Sequence, residues 1–211
     1  MEDTAATPTE GRTRWRRFAL AAVPSVAAAG ALVVLMANGA IAASFAVSGQ
    51  SFEVSGKTLD GTGFVQFGSI DQSLGNTPVP HPVVISAIKH AEITNLCQSV
   101  VTTLPIIGDI TLRIGAGTVT DRPVSADNLV IDLTQLDGDA TFKNIEIGRD
   151  ASTLDKGPDH VVGLQNNFGQ QADSIHIDNF QQQALSTTAG TFTLPNLSLG
   201  VAFGNNPCFT P

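Results

Sequence analysis

The 211-residue chain has no tyrosine, one tryptophan, two methionines and two cysteines. Charge is also scarce, at 14% of residues, and 11 Lys and Arg stand against 19 Asp and Glu for a formal net charge of −8. Each shortage excludes something. Two thiols cannot build a four-cysteine zinc site or a disulfide-dense scaffold. No basic cluster follows Arg17, so the chain is a poor nucleic-acid binder and no nucleic acid is expected among its partners. The 42% hydrophobic content with low charge excludes a disordered chain, and the absence of a heptad repeat excludes a coiled coil. Reaction motifs are missing too. No Gly-x-Ser-x-Gly elbow occurs; the nearest string, Ser48-Gly49-Gln50-Ser51-Phe52, lacks the flanking glycine pair. There is no HExxH or other zinc spacing, and Gly115-Ala116-Gly117 lacks the third glycine and the lysine of a phosphate loop. No catalytic residue, cofactor or metal is expected.

What is present begins at the N-terminus. Arg12, Arg14, Arg16 and Arg17 precede an uncharged stretch, 18–37, and apolar character continues to about Val47. About 20 apolar residues rising roughly 1.5 Å each cross a hydrocarbon core of about 30 Å. Arginines before the span and none just after it place the N-terminus in the cytoplasm and the rest outside. The expected organisation is a basic cytoplasmic tail (1–17), a transmembrane anchor or uncleaved signal (18–44) and an extracytoplasmic domain (45–211). Secretion after cleavage near Ala42, at Ala40-Ile41-Ala42, is the alternative. The segment before Phe18 holds Glu2, Asp3 and Glu10 against four arginines, which leaves 16 acidic and 7 basic side chains beyond it, net −9. Such a domain is repelled by anionic headgroups.

In the outer region, Cys97 and Cys208 are expected to pair as a disulfide, with two separate buried thiols as the alternative. This region reads as short apolar/polar alternations broken by glycine. Beyond Pro82 a pattern recurs around Asn95, Asn128, Asn144, Asn179 and Asn196, at successive intervals of 33, 16, 35 and 17. Apolar residues stand at minus two and plus one, as Phe142 and Ile145 do around Asn144. Strand side chains alternate faces, so each segment changes phase at its Asn. A repeated turn, β-bulge or corner does this, and Asn tolerates the left-handed backbone it requires. The fold class is therefore all-β, a single solenoid-like or sandwich domain. Residues 148–174 read as a long polar loop with one short strand at 161–164. Residues 86–104 alone show helical spacing, through Ile88, Ala91, Leu96 and Val100, against a β-branched content that opposes helix.

Four histidines are candidates for chemistry. His81 lies between prolines and reads as a surface loop, His90 and His176 as solvent-facing or hydrogen-bonded strand residues, and His160 falls in the long loop. Asp150, Asp155 and Asp159 offer oxygen ligands for calcium, but their spacing matches no EF-hand. Eleven phenylalanines without tyrosine supply apolar surface without polar handles, for a plain core or a groove for acyl chains.

Several strings together resemble a known family: Asn95-Leu96-Cys97-Gln98-Ser99-Val100, Gly138-Asp139-Ala140-Thr141-Phe142, Phe168-Gly169-Gln170-Gln171-Ala172-Asp173 and Ala189-Gly190-Thr191-Phe192-Thr193-Leu194-Pro195. They are similar to an actinobacterial, streptomycete-type family of membrane-anchored or exported proteins of unknown function, some of which carry the label "cholesterol esterase". The likeness covers nearly the whole chain. It implies a small multi-pass membrane protein as a partner and supplies no catalytic residue. The expectation is a non-catalytic, membrane-anchored β-domain of the bacterial envelope that binds a lipid or a membrane-protein partner. Its rivals are a self-associating structural protein and a lipid-ester hydrolase with an unrecognised site.

Overall fold

The computed structural model describes residues 46–47, 50–73, 79–119 and 121–210. The basic tail and the apolar anchor expected over 1–44 lie outside the described residues. The described residues all fall within one compact unit, Ser44–Pro211.

In chain order the elements are β1 (Ala46–Val47), β2 (Phe52–Ser73), β3 (Pro80–Thr94), β4 (Leu96–Leu104), β5 (Gly108–Ala116), β6 (Val124–Lys143), β7 (Glu146–Asp150), a 3-10 turn (Ala151–Thr153), β8 (Phe168–Thr188), β9 (Thr191–Thr193) and β10 (Ser198–Phe203). The domain is all-β, as its alternation predicts. Residues 86–104 are strand and not helix: Val, Ile and Thr lose rotamer freedom in a helix and fit a pleated surface. The solenoid and sandwich expectations both need correction. Among the described residues all ten strands belong to one sheet, and every pairing between them is antiparallel except β1 with β2. Four long strands close into a ring, because β2 pairs β3, β3 pairs β6, β6 pairs β8 and β8 returns to β2. From it extends a wing in the order β4, β5, β10, rooted where Ser55 of β2 faces Cys97 of β4.

The asparagines explain how strands of 20 to 22 residues curl into so small a ring. All five have left-handed backbone, with φ of 52° at Asn95, 50° at Asn128, 51° at Asn144, 50° at Asn179 and 54° at Asn196. They fall on two creases that cross the sheet. One passes Asn128, Lys89, Gly63, Asp173 and Asn144; the other passes Asn196, Gly117, Asn95, Lys57, Asn179 and Gly138. At Asn128 no residue is inserted relative to β3, since Ile88 faces Leu129 and His90 faces Asp127. The same holds across Asn95, where Thr94 and Cys97 keep one register against β2. Neighbouring strands thus change phase together, and the apolar side stays inside. A true bulge occurs beside Asn179, where the pairing slips between Asp137 and Asp139. Gly63 (φ 70°) does in β2 what asparagine does elsewhere. Each long strand meets both creases at a constant interval, at 57 and 63, 89 and 95, 138 and 144, and 173 and 179.

The interior of the ring is filled. Phe64, Phe180 and Leu129 are almost fully buried among Leu59, Ile88, Ile93, Ile175 and Ile177. Phe142 packs beside Phe64 with ring centroids 5.4 Å apart. The stretch expected as a solvated loop is shorter and partly buried. Its ends are strands β7 and β8, residues 161–164 are not strand, and Ala151 and Leu154 pack on Val65, Phe67 and Ala87 as a second, smaller core. A Cβ added at Gly157 would stand 2.4 Å from Val65 Cγ2, so glycine lets this cover lie flat on the sheet.

Candidate functional site

Three places gather functional side chains: the outer face between the creases, a buried acid pair, and the wing.

Between the creases, outward-facing residues of adjacent strands form a cleft of about 350 Å³ lined by Asp60, Thr62, His90, Glu92, Thr141, Lys143, Ser174 and His176. His176 Nδ1 lies 2.7 Å from Asp60 Oδ1, and its Nε2 lies 3.2 Å from Asp178 Oδ2. Hydrogen bonds to these two carboxylates, Asp60 before Asp178, raise its pKa. Both ring nitrogens of His176 are engaged by carboxylates, which favours its protonated form. His90 Nδ1 lies 2.7 Å from Asp127 Oδ1. The cleft is a charged and hydroxyl-bearing surface. No cluster of metal-ligating side chains exists among the described residues.

The other sequence candidates take separate roles. His81 is not in a loop but in β3, opposite Asp71. Its flanking prolines are tolerated because β6 pairs β3 only from Val84 onward, leaving that side of β3 an edge. His160 is exposed in the cover segment with φ 65°. The three aspartates considered for calcium do not converge. Asp150 caps the 3-10 turn, accepting from Ser152 N and Oγ and from Asn166 N, which lowers its pKa. Asp155 accepts from the buried Gln171, whose Oε1 in turn accepts from the backbone of Asp155 and Lys156. Beside them Glu146 accepts from Arg149, Lys156 and Gln171, and these bonds draw its pKa down to about 2. This network fastens the cover to β7 and β8.

Asp132 of β6 is 6% exposed between Ile131 and Leu133. Burial first, then the neighbouring Asp71 carboxyl, pushes its pKa up to about 6, and Asp71 Oδ2 is buried without a partner. Two carboxyls that touch share a proton readily. They do not flank a cleft as the acid and base of a glycosidase do.

The wing has two unlike faces. On one, the tail after β10 folds back: Cys208 is bonded to Cys97 with Cα atoms 5.9 Å apart. Thr111 Oγ1 donates to Gly204 O and accepts from Asn206 N, and Cys208 N donates to Ser99 Oγ. Ser99 and Thr111 are each about 1% exposed under this strap. The other face continues the inward phase of the ring. Its root, Val54, Leu96 and Ala116, is buried in the main core. Farther out, nothing among the described residues covers it. Leu199, Val201 and Phe203 of β10 are 64%, 68% and 79% exposed and stand beside Ile114, Leu112 and Ile110 of β5. Ile106 and Ile107 at the β4–β5 turn are also exposed. Asp109 and Arg113 are the charged residues of this whole region, and no charged side chain follows Asp178. The sequence contains this face as the alternation Leu-x-Val-x-Phe, which reads as ordinary core; the lack of charge from Asn179 to the end of the chain is the signal that it differs.

The described residues thus form a disulfide-strapped, creased β-ring with a wing whose apolar face none of them covers. Residues 48–209 match the family of unknown function DUF6230, and the chain belongs to that family. No curated protein and no solved structure matches it. Among the described residues no helix is long and apolar enough to cross a membrane.

Proposed function

We propose that the protein is a non-catalytic, membrane-tethered, extracytoplasmic module of the bacterial envelope that binds a membrane-associated protein partner through its wing. The observation that carries this is the uncovered, uncharged face of Leu199, Val201 and Phe203 on an otherwise acidic domain. Exposed apolar patches of this kind mark interaction sites. The apolar stretch 18–37 behind four arginines supports the tether, and the Cys97–Cys208 bond fits an oxidising compartment. An acyl chain inside the ring is disfavoured, because Phe64 and Phe180 occupy that space. A hydrolase reading has less support, since the sequence carries no Gly-x-Ser-x-Gly elbow.

The test uses the full chain in its own membrane. A photoreactive phenylalanine at position 203 is expected to give a protein adduct, and the same residue at Thr141 on the ring none. The protein should resist carbonate extraction and carry its two cysteines oxidised. A soluble chain with reduced thiols, or no adduct from position 203, overturns the reading. Turnover of short-chain esters or labelling by a serine-directed phosphonate overturns its non-catalytic part.

A further inference from the structure

We infer that the partner seated on the wing is a second copy of this chain, joined by antiparallel pairing of the two β10 strands. The inference rests on the docking role proposed above and names the strand that pairs with the wing's edge, which leaves the apolar faces of both copies on one side of the joined sheet.

The first ground is the edge itself. Among the described residues β10 pairs with β5 alone, so its other side presents unpaired backbone donors and acceptors. Sheet edges are normally blunted by lysine, proline, a bulge or a covering segment. β10 reads Ser-Leu-Gly-Val-Ala-Phe, has a continuous register with β5 and carries none of these devices. Its strap covers the sheet face at Thr111 and Ser99. Hydrocarbon cannot satisfy an unpaired N–H or C=O, whereas another strand can. The edge therefore asks for a strand and not for a lipid.

The second ground is charge. The chain beyond Arg17 carries 16 acidic and 7 basic side chains, all of them beyond Ser44. Asp109 and Arg113 cancel within the wing, so the net −9 lies on the rest. Two copies repel one another everywhere except here. The wing is therefore the surface on which two copies of this chain meet with least repulsion.

The third ground is parity. Antiparallel pairing about Val201 sets Val201 against the partner's Val201 and Leu199 against the partner's Phe203. Every apolar residue then lies on the same face of the joined sheet, and the pairing is its own symmetry mate, as a two-fold interface requires. The result is one continuous sheet running from β4 through both β10 strands to the partner's β4, with a single apolar surface. Tethering both copies in one membrane raises their effective concentration.

The test again uses the full chain in its membrane. A photoreactive phenylalanine at position 201 is expected to give an adduct of twice the chain's mass whose cross-linked peptides both come from β10. With the photoreactive residue moved to position 199, Val201→Lys should reduce that adduct at least tenfold, because two lysines then face each other. Val201→Glu should do the same. Co-expressing the lysine and glutamate variants should restore it, as opposite charges meet at the self-opposed position. Position 201 is exposed, so the variants keep the fold, which the oxidised Cys97–Cys208 pair reports. An adduct with a different protein overturns self-pairing and leaves the docking role standing. Adducts only with lipid, no adduct, or a failure of the mixed variants to rescue each overturns the inference.

Discussion

The ring and the wing are built from the same alternating sequence and end in opposite conditions. In the ring, the apolar phase of each strand meets the apolar phase of another across the interior, since β8 closes back on β2. In the wing the same phase runs outward past the closure and meets no second layer among the described residues. What buries a residue here is the topology around it and not its own hydrophobicity. Phe180 and Phe203 are chemically identical; one is 1% exposed and the other 79%.

That contrast can be broken most strongly by truncation. Phe180→Ala in the ring should cost about 3–5 kcal/mol, as a buried aromatic leaves a cavity. Phe203→Ala should change stability by less than about 0.5 kcal/mol, the ordinary range for an exposed site. Denaturant unfolding of the two variants measures both. A large loss at Phe203 would mean that the face is covered within the single chain.

Removing the strap comes next. Cys97→Ser with Cys208→Ser opens a link across a sequence separation of 111 and should cost roughly 2–5 kcal/mol. The loss should be local. Hydrogen exchange should rise in β5 and β10 and at Thr111, whose hydroxyl holds the tail, while β2, β3 and β8 keep their protection. Uniform loss of protection would show that ring and wing unfold as one unit.

The sequence made part of this contrast legible. The five asparagines, each with an apolar residue on either side of a phase change, mark where the backbone is left-handed. The intervals from Asn95 to Asn128 and from Asn144 to Asn179 are each about twice those from Asn128 to Asn144 and from Asn179 to Asn196, as in a chain that returns to a crease on each pass. Gly63 escapes that pattern because glycine reaches the same conformation without leaving the same letter. Ring closure escapes it as well. Pairing of β2 with β8 joins positions far apart in the chain, Phe52 with Ala184 and Phe67 with Gly169, and nothing local in Phe52 to Phe67 specifies a partner on both sides. The wing's apolar stripe is visible as letters but not as surface, since alternation states which residues share a face and not whether a second layer lies over it. The cover segment reads as a loop for a related reason. Its burial depends on Gly157 and Gly163, where small size permits contact with Val65 and Phe67, and glycine in a polar stretch otherwise signals a loop.

The creases give a smaller effect. Asn128→Ala keeps φ near 50° with a residue that resists it, and should cost about 1 kcal/mol. Asn128→Gly should be near neutral or mildly stabilising, because glycine adopts the conformation freely. If alanine and glycine are equally costly, the crease is held by the asparagine side chain rather than by its backbone conformation.

The smallest effect is in pH, and it separates the ring from the segment that covers it by sign. Asp132 binds its proton more tightly when folded, with a pKa of about 6 against an ordinary 3.8. The stability it contributes is therefore fully present below about pH 4 and is lost as pH rises through 6. Glu146 is the reverse. Its folded pKa of about 2 lies below the ordinary 4.5, so its contribution is present above 4.5 and lost as pH falls toward 2. His176 adds a decline of the same sign as Asp132 but later, starting near its ordinary 6.5, because Asp60 and Asp178 raise its pKa. Thermal midpoints from pH 3 to 8 should thus pass through a maximum near pH 4 to 5. Asp132→Asn, which keeps a donor toward Asp71 without a charge, should flatten the limb between pH 4 and 6 and leave the decline above 6.5. Glu146→Gln should make the acid limb shallower and leave the rest unchanged, with Asp150 and Asp173 supplying the remaining acid slope. An unchanged limb in Asp132→Asn would mean that burial and the neighbouring Asp71 carboxyl do not hold the proton on Asp132 in the folded state.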